Sequence, residues 1–146
     1  MREFKIYTCG RMSGIPYEEQ MKWRNQIENE ISLRTDRKVI FVHPPIFYGY
    51  HADFHKSEKE IMDWELKQIC ECDVIIVNLD GVMQSIGSHM ELGAACGAKI
   101  SSGKNISIIG VGKSKEFVHP WIEMCQLRYE ESIEDAADYI AKYLLI

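Results

Sequence analysis

From Cys72 the chain reads CDVIIVNLDGVMQSIGSHMELGAACG: a β-branched apolar run, a turn rich in glycine and serine, and a helical pattern carrying Glu91 in its first turn. Gly81, Ser85, Gly87 and Ser88 let a backbone approach a ligand closely, and a helix start offers unpaired N–H groups and a positive dipole end. A sugar or a phosphate is the guest such a turn suits, with Glu91 within reach of it. Ser88-x-x-Glu91 is also a capping box, in which Ser88 accepts from the Glu91 amide and Glu91 reaches back to the Ser88 amide. The pattern recurs at Ser57-x-x-Glu60 and, with aspartate, at Ser132-x-x-Asp135. A purely structural reading of Glu91 therefore stands beside the chemical one.

Glu65 is the second candidate. Its neighbours four residues before and after, Ile61 and Ile69, are apolar, so a helix from about Ser57 to Glu71 puts Glu65 on one face with Ile61, Met62, Leu66 and Ile69. A carboxylate there is costly without a partner, unless it lies at the edge of the stripe and reaches water. If it points over the sheet edge toward Glu91, two carboxylates share one pocket and their pKa values split, one ionised and one protonated. That division suits cleavage of a glycosidic bond, one carboxylate attacking the anomeric carbon while another group manages the leaving group's proton.

The elements that must hold these residues alternate strand and helix, which predicts an α/β fold: a single doubly wound domain over 1–146 with a mainly parallel, five-stranded sheet. Val74 to Val77 is apolar on both faces, as a central parallel strand requires, and such strands open into ligand sites at their C-terminal ends. Phe4 to Cys9 reads as the first strand and Lys38 to Val42 as the second, with a helix from Pro16 to Arg34 between them whose buried stripe is Trp23, Ile27 and Ile31. His43-Pro44-Pro45 ends the second strand and opens a loop to His55. After the Glu91 helix, to about Ala98, come a strand over Asn105–Val111, a short segment from Glu116 to Met124, a weak strand near Leu127–Tyr129 and a helix from Ser132. The first strand leads into Cys9-Gly10-Arg11-Met12-Ser13-Gly14, which is neither a P-loop nor G-x-G-x-x-G but could hold one phosphate through backbone amides and Arg11.

Composition narrows the partners. A net charge of −5 without a long basic run gives no footprint for a nucleic-acid polymer, and no window approaches a membrane span, so the expected protein is soluble and cytoplasmic with a small-molecule ligand. Five cysteines, an odd number, suit a reducing compartment; Cys9, Cys70, Cys72, Cys96 and Cys125 are expected to pack as small apolar groups. His51-x-x-x-His55 with Asp53 has metal-ligand spacing only if helical and reads as loop, so neither a metal nor a cofactor is expected.

Three segments, IYTCGRMSG, WELKQICECDVIIVNLDG and SIGSHMELGAA, together resemble the nucleoside 2-deoxyribosyltransferase superfamily, which includes nucleoside 5′-monophosphate N-glycosidases. The resemblance runs from Lys5 to about Gly97. It implies that Glu91, in the G-x-x-x-E-x-G segment, is the nucleophile, forming a glycosyl-enzyme intermediate resolved by water or a second base. Tyr7 matches the tyrosine that orients the nucleophile. Glu65 stands where many relatives have aspartate, eight residues before the position matched by Asp73. Ser85 falls where transferases carry a carboxylate for the sugar 5′-hydroxyl and the monophosphate hydrolases a serine; a carboxylate would repel a 5′-phosphate, whereas a hydroxyl can donate to one. The implied substrate is a nucleoside or nucleotide, bound by Gly10, Arg11, Asp80, Ser85, Gly87 and Ser88. The resemblance also implies a homodimer or higher homo-oligomer, with the Glu116–Met124 region, including His119 and Trp121, at the subunit contact. The altered acid at Glu65 leaves a second reading, a nucleotide-binding or sensing module without turnover.

Overall fold

The computed structural model describes residues 1–51, 55–113 and 118–146, the side chains of 49–51 excepted. Five strands form one sheet: β1 (Glu3–Cys9), β2 (Lys38–Val42), β3 (Val74–Asn78), β4 (Ser107–Val111) and β5 (Arg128–Glu130), in the order β2-β1-β3-β4-β5 with every pairing parallel. This is the doubly wound order whose direction reverses between β1 and β3, and ligands in such sheets bind beyond the strand ends at that point. Asp73 clips the two central strands together, accepting from the Lys5 amide at 2.9 Å and from Arg2 at 2.9 Å.

Alternate residues feed two cores, because successive side chains of a strand point to opposite faces. Tyr7, Cys9, Ile75, Val77 and Ile108 pack with Ile69 of α3 (Glu58–Glu71), Leu92 and Ala95 of α4 (Ile86–Ser102) and Ile122 of α5 (Pro120–Met124). Phe4, Ile6, Val74, Ile76 and Ile109 pack with Ile27 and Ile31 of α1 (Tyr17–Ser32) and with Ala136 and Ala137 of α6 (Ile133–Tyr139). The chain continues from α6 as a π-helical turn, Ile140–Leu144.

Several expectations are corrected. The segment after β2 is not all loop: Pro44–His51 is helical (α2), its prolines standing in the first turn, where a missing N–H costs nothing. The His51-Asp53-His55 spacing falls partly outside the described residues, as does Glu116. Met62 is exposed, and the buried residues of α3 are Ile61 and Ile69. On α1 the buried stripe runs Met21, Arg24, Ile27, Ile31, with Trp23 only half-buried. Cys70 is exposed, whereas Cys72 packs at the end of α3. The Glu91 helix extends to Ser102 and closes on Gly103 with a left-handed φ of 68°.

Ile76 is fully buried in the central strand. Ile76→Ala is expected to lower stability by about 2–5 kcal/mol, read as a fall in the urea midpoint at unchanged slope.

Candidate active site

The helix carrying Glu91 begins earlier than the sequence suggests. Ser85, not Ser88, is its N-cap: the Ser85 hydroxyl accepts from the Ser88 amide at 3.3 Å and lies 2.7 Å from the Ser88 hydroxyl. Glu91 is therefore beyond the first turn and has no capping role. Its buried companions on α4 are Ser88, Leu92 and Ala95, so the carboxylate lies on the stripe that faces the sheet. The capping alternative holds at Ser132, which accepts from the Asp135 amide at 3.1 Å. At Ser57 it does not: the helix is capped there without a side-chain bond, and Glu60 accepts instead from the Lys56 amide at 2.8 Å.

Burial dominates the electrostatics around Glu91, whose residue is 8% exposed. Desolvation, then the neighbouring Glu65 carboxylate, hold its carboxyl well above the usual range. Glu65 on α3 is half-buried and is pushed up in turn, chiefly by burial. The second proton must leave this pair against a like charge, so near neutral pH the two share one proton. Tyr7, buried on β1, is raised well above the ordinary phenol range by burial and then by Glu91. The Tyr7 hydroxyl and Glu91 Oε2 are both buried without completing a hydrogen bond in the protein. They are close enough for the tyrosine to favour the ionised carboxylate, yet are not aligned as donor and acceptor.

Ser85 and Ser88 join this group through their hydroxyl pair, and the Cys9 thiol lies 3.9 Å from the Ser88 carbonyl. Gly87 is exposed, and a Cβ there would meet nothing within 4 Å. The Ile86 and Gly87 amides precede the capped one and have no intrahelical partner. Arg11 crosses the same edge: its guanidinium donates to the Ser13 carbonyl at 3.2 Å, and its side chain lies 3.3 Å from where a Gly81 Cβ would be. Gly81, with φ 77°, takes the left-handed turn after β3. Among the described residues Arg11 has no carboxylate within 4.0 Å.

Two expected binding residues stand differently. Gly10 is required by packing, since a Cβ there would lie 2.9 Å from the Trp23 ring. Asp80 is exposed and lines a cavity of about 560 Å³ with Trp23, Asn78, Gly112, Lys113 and Glu131, which Tyr7, Glu65 and Glu91 do not line. The reactive group and that cavity occupy different parts of the sheet edge. A residue the motifs missed is Arg24, fully buried behind Gly10; its position three residues before Ile27 and seven before Ile31 was the available signal.

A parallel sheet in the order β2-β1-β3-β4-β5 defines a doubly wound α/β protein, with the buried Glu91 and the half-buried Glu65 together beside Tyr7 of β1. No protein-family model and no curated protein matches the chain. Among solved structures it is similar to the 2-deoxyribosyltransferase of the psychrotolerant bacterium Bacillus psychrosaccharolyticus, at 18% identity over 92% of this chain and 91% of that one, with a TM-score of 0.66. It is also similar to the CMP N-glycosidase BcmB of Clostridium botulinum, at 15% identity over 95% and 99% of the two chains, with a TM-score of 0.53. At these identities the likeness is one of fold.

A carboxyl whose folded pKa lies above its unfolded value contributes stability that is full below the unfolded pKa, near 4.3 for glutamate, and is lost as pH rises through the folded pKa. Glu91→Gln removes that loss. The variant is expected to be more stable than the parent at pH 8 by about 1–3 kcal/mol, with the difference shrinking at pH 5. Chemical denaturation at both pH values checks it.

Proposed function

We propose that this protein cleaves the N-glycosidic bond of a nucleoside or nucleoside 5′-monophosphate, with the base released to water or exchanged for another. The observation that carries the reading is Glu91, buried on the sheet-facing stripe of α4 with one carboxylate oxygen unpartnered beside the unpartnered Tyr7 hydroxyl. The two proteins of like fold are a 2-deoxyribosyltransferase and a CMP N-glycosidase, which supports the sequence resemblance as a guide to substrate class.

In this mechanism the Glu91 carboxylate attacks the anomeric carbon, a C–O bond forms as the C–N bond breaks, and the electron pair of the C–N bond leaves with the base. Burial holds Glu91 the higher of the two carboxyls, so the reacting form is the one in which their shared proton has moved to Glu65, which delivers it to the departing base while Glu91 is ionised. Water or a second base then attacks the anomeric carbon of the glycosyl ester, giving up a proton to the now ionised Glu65, and the C–O bond to Glu91 breaks with its electron pair returning to the carboxylate. The Tyr7 hydroxyl donates to Glu91 and holds it in line. Arg11, the Ser85 hydroxyl and the Ile86 and Gly87 amides meet the 5′ end; their cationic and donor character favours a phosphate there.

A second copy of the chain completes this reading. Ile86, Met90, Trp121 and Met124 are exposed, at 78%, 50%, 77% and 82%. The His119 amide donates to Met83 Sδ at 3.3 Å, bringing α5 against the turn that leads into α4. An apolar face of this kind beside a site is characteristic of a protein contact.

Chromatography of ribo- and deoxyribonucleosides and their 5′-monophosphates tests the reaction. Base release is expected, with a loss of about 10³-fold or more in Glu91→Ala; tight nucleotide binding without any release would instead favour the sensing module. Ser85→Asp keeps a good N-cap but adds a negative charge. It is expected to lower release from monophosphates relative to nucleosides by about tenfold or more. Sedimentation is expected to show a dimer, which Met90→Lys dissociates.

A further inference from the structure

Among the described residues Arg24 is the one buried guanidinium or ammonium and Glu91 the one buried carboxylate. They flank the same stretch of β1 from opposite faces. Tyr7 and Cys9 pack on the side of α4, while Thr8 points the other way, toward α1. Arg24 Nε donates to the Thr8 hydroxyl at 3.2 Å, Nη2 to the Gly10 carbonyl at 3.2 Å and Nη1 to the Gln20 carbonyl at 2.5 Å, and its guanidinium lies 4.7 Å from the Trp23 ring centroid.

A fully buried cation is ordinarily paired with an anion, yet none of the ion pairs among the described residues involves Arg24. On the α1 side its charge is relayed outward. Thr8 Oγ1 lies 2.8 Å from His43 Nδ1, and His43 Nε2 lies 2.6 Å from Glu28 Oε2. Thr8 Oγ1 also lies within 3.3 Å of the Val42 carbonyl, so its one proton goes to that carbonyl or to His43 Nδ1, while His43 Nε2 faces the Glu28 carboxylate as a donor. Burial lowers the His43 pKa and so favours its neutral form. The chain of donors ends on a carboxylate that is 40% exposed and screened by water. Toward the sheet edge, the anions facing Arg24 are Glu91 and Glu65.

We propose that Arg24 is a positioning residue for the Glu91 reaction: it holds the end of β1 through the Thr8 hydroxyl and the Gly10 carbonyl just beyond the strand, and its buried positive charge faces the nucleophile across that strand. This rests on the reading of Glu91 given above. The groups acting on Glu91 are Glu65 from α3, Tyr7 and Cys9 from β1 and Arg24 from α1, and Glu58 acts on Glu65. Burial and Glu65 oppose ionisation, while Arg24 is the one cation favouring it. Arg24 is the smallest of the influences on Glu91; at an effective dielectric of about 20, a charge on the order of 10 Å away is worth about one pKa unit at most.

The test is a 13C NMR titration of the glutamate carboxyl carbons, with Glu91 and Glu65 assigned through Glu91→Gln and Glu65→Gln. In Arg24→Met the Glu91 midpoint is expected to rise by up to about one pH unit, and in Arg24→Lys to stay near the parent value. Thr8→Val, which breaks the relay and keeps the charge, is expected to leave the midpoint in place. Should Arg24→Met not fold, Arg24→Gln, whose amide can still donate toward the Gly10 carbonyl, makes the same measurement. An unmoved midpoint without the charge, or an equal rise in Arg24→Lys or Thr8→Val, overturns the proposal. The titration needs no substrate, so a protein that releases no base fails the proposed reaction without deciding the role of Arg24. Where release is measurable, the acidic limb of the kcat/KM profile is expected to move up with the midpoint.

Discussion

Holding a carboxylate against the sheet is the constraint from which the site follows. Taken out of water, Glu91 favours its neutral form, and an apolar surround would leave it there. The structure surrounds it instead with a second acid, a tyrosine hydroxyl and, one strand away, a buried guanidinium. The tyrosine and the guanidinium's anchor depend on the period-two alternation of β1, which sends Tyr7 and Cys9 to one core and Thr8 to the other. A one-residue slip of β1 would exchange those faces and part Tyr7 from Glu91, so the Asp73 clip onto Lys5 also guards the chemistry.

The fold was legible because its signals were strong. An apolar β-branched run at Val74–Val77 has few ways to be satisfied other than as a central parallel strand, and the alternation of strand and helix patterns sets the rest. What escaped the sequence depended on tertiary context. Pro44 and Pro45 read as a break but stand where prolines are tolerated, in a first helical turn. Ser88 and Glu91 have capping-box spacing, but the helix starts at Ile86, which turns a surface motif into a buried stripe. Arg24 was overlooked because an arginine among apolar residues reads as the polar edge of a helix; its burial rests on carbonyls of Gly10 and Gln20 that only the folded backbone presents.

The sheet edge serves two regions with different character. Around Glu91 the groups are buried, close and electrostatically tied. Toward β4 and β5, Asp80, Lys113 and Glu131 border an open cavity. Asp80 follows β3 by only two residues, yet it lines that cavity, which Glu91 does not. Proximity in sequence to a strand end is thus a weak guide to which side of the edge a residue serves.

The pairing of β1 with β3 also governs when the site can exist. Lys5 and Asp73, which start that pairing, are 68 residues apart in the chain, and the segment between them makes up the whole of α1, β2, α2 and α3. Closing so long a loop is entropically costly and is repaid only once both cores form, which places the pairing among the slow contacts of folding. Until α4 has been made and docked, Tyr7 has no Glu91 beside it and Arg24 is a cation with no buried acid across the strand. Assembly of the sheet and assembly of the Glu91 cluster are therefore coupled.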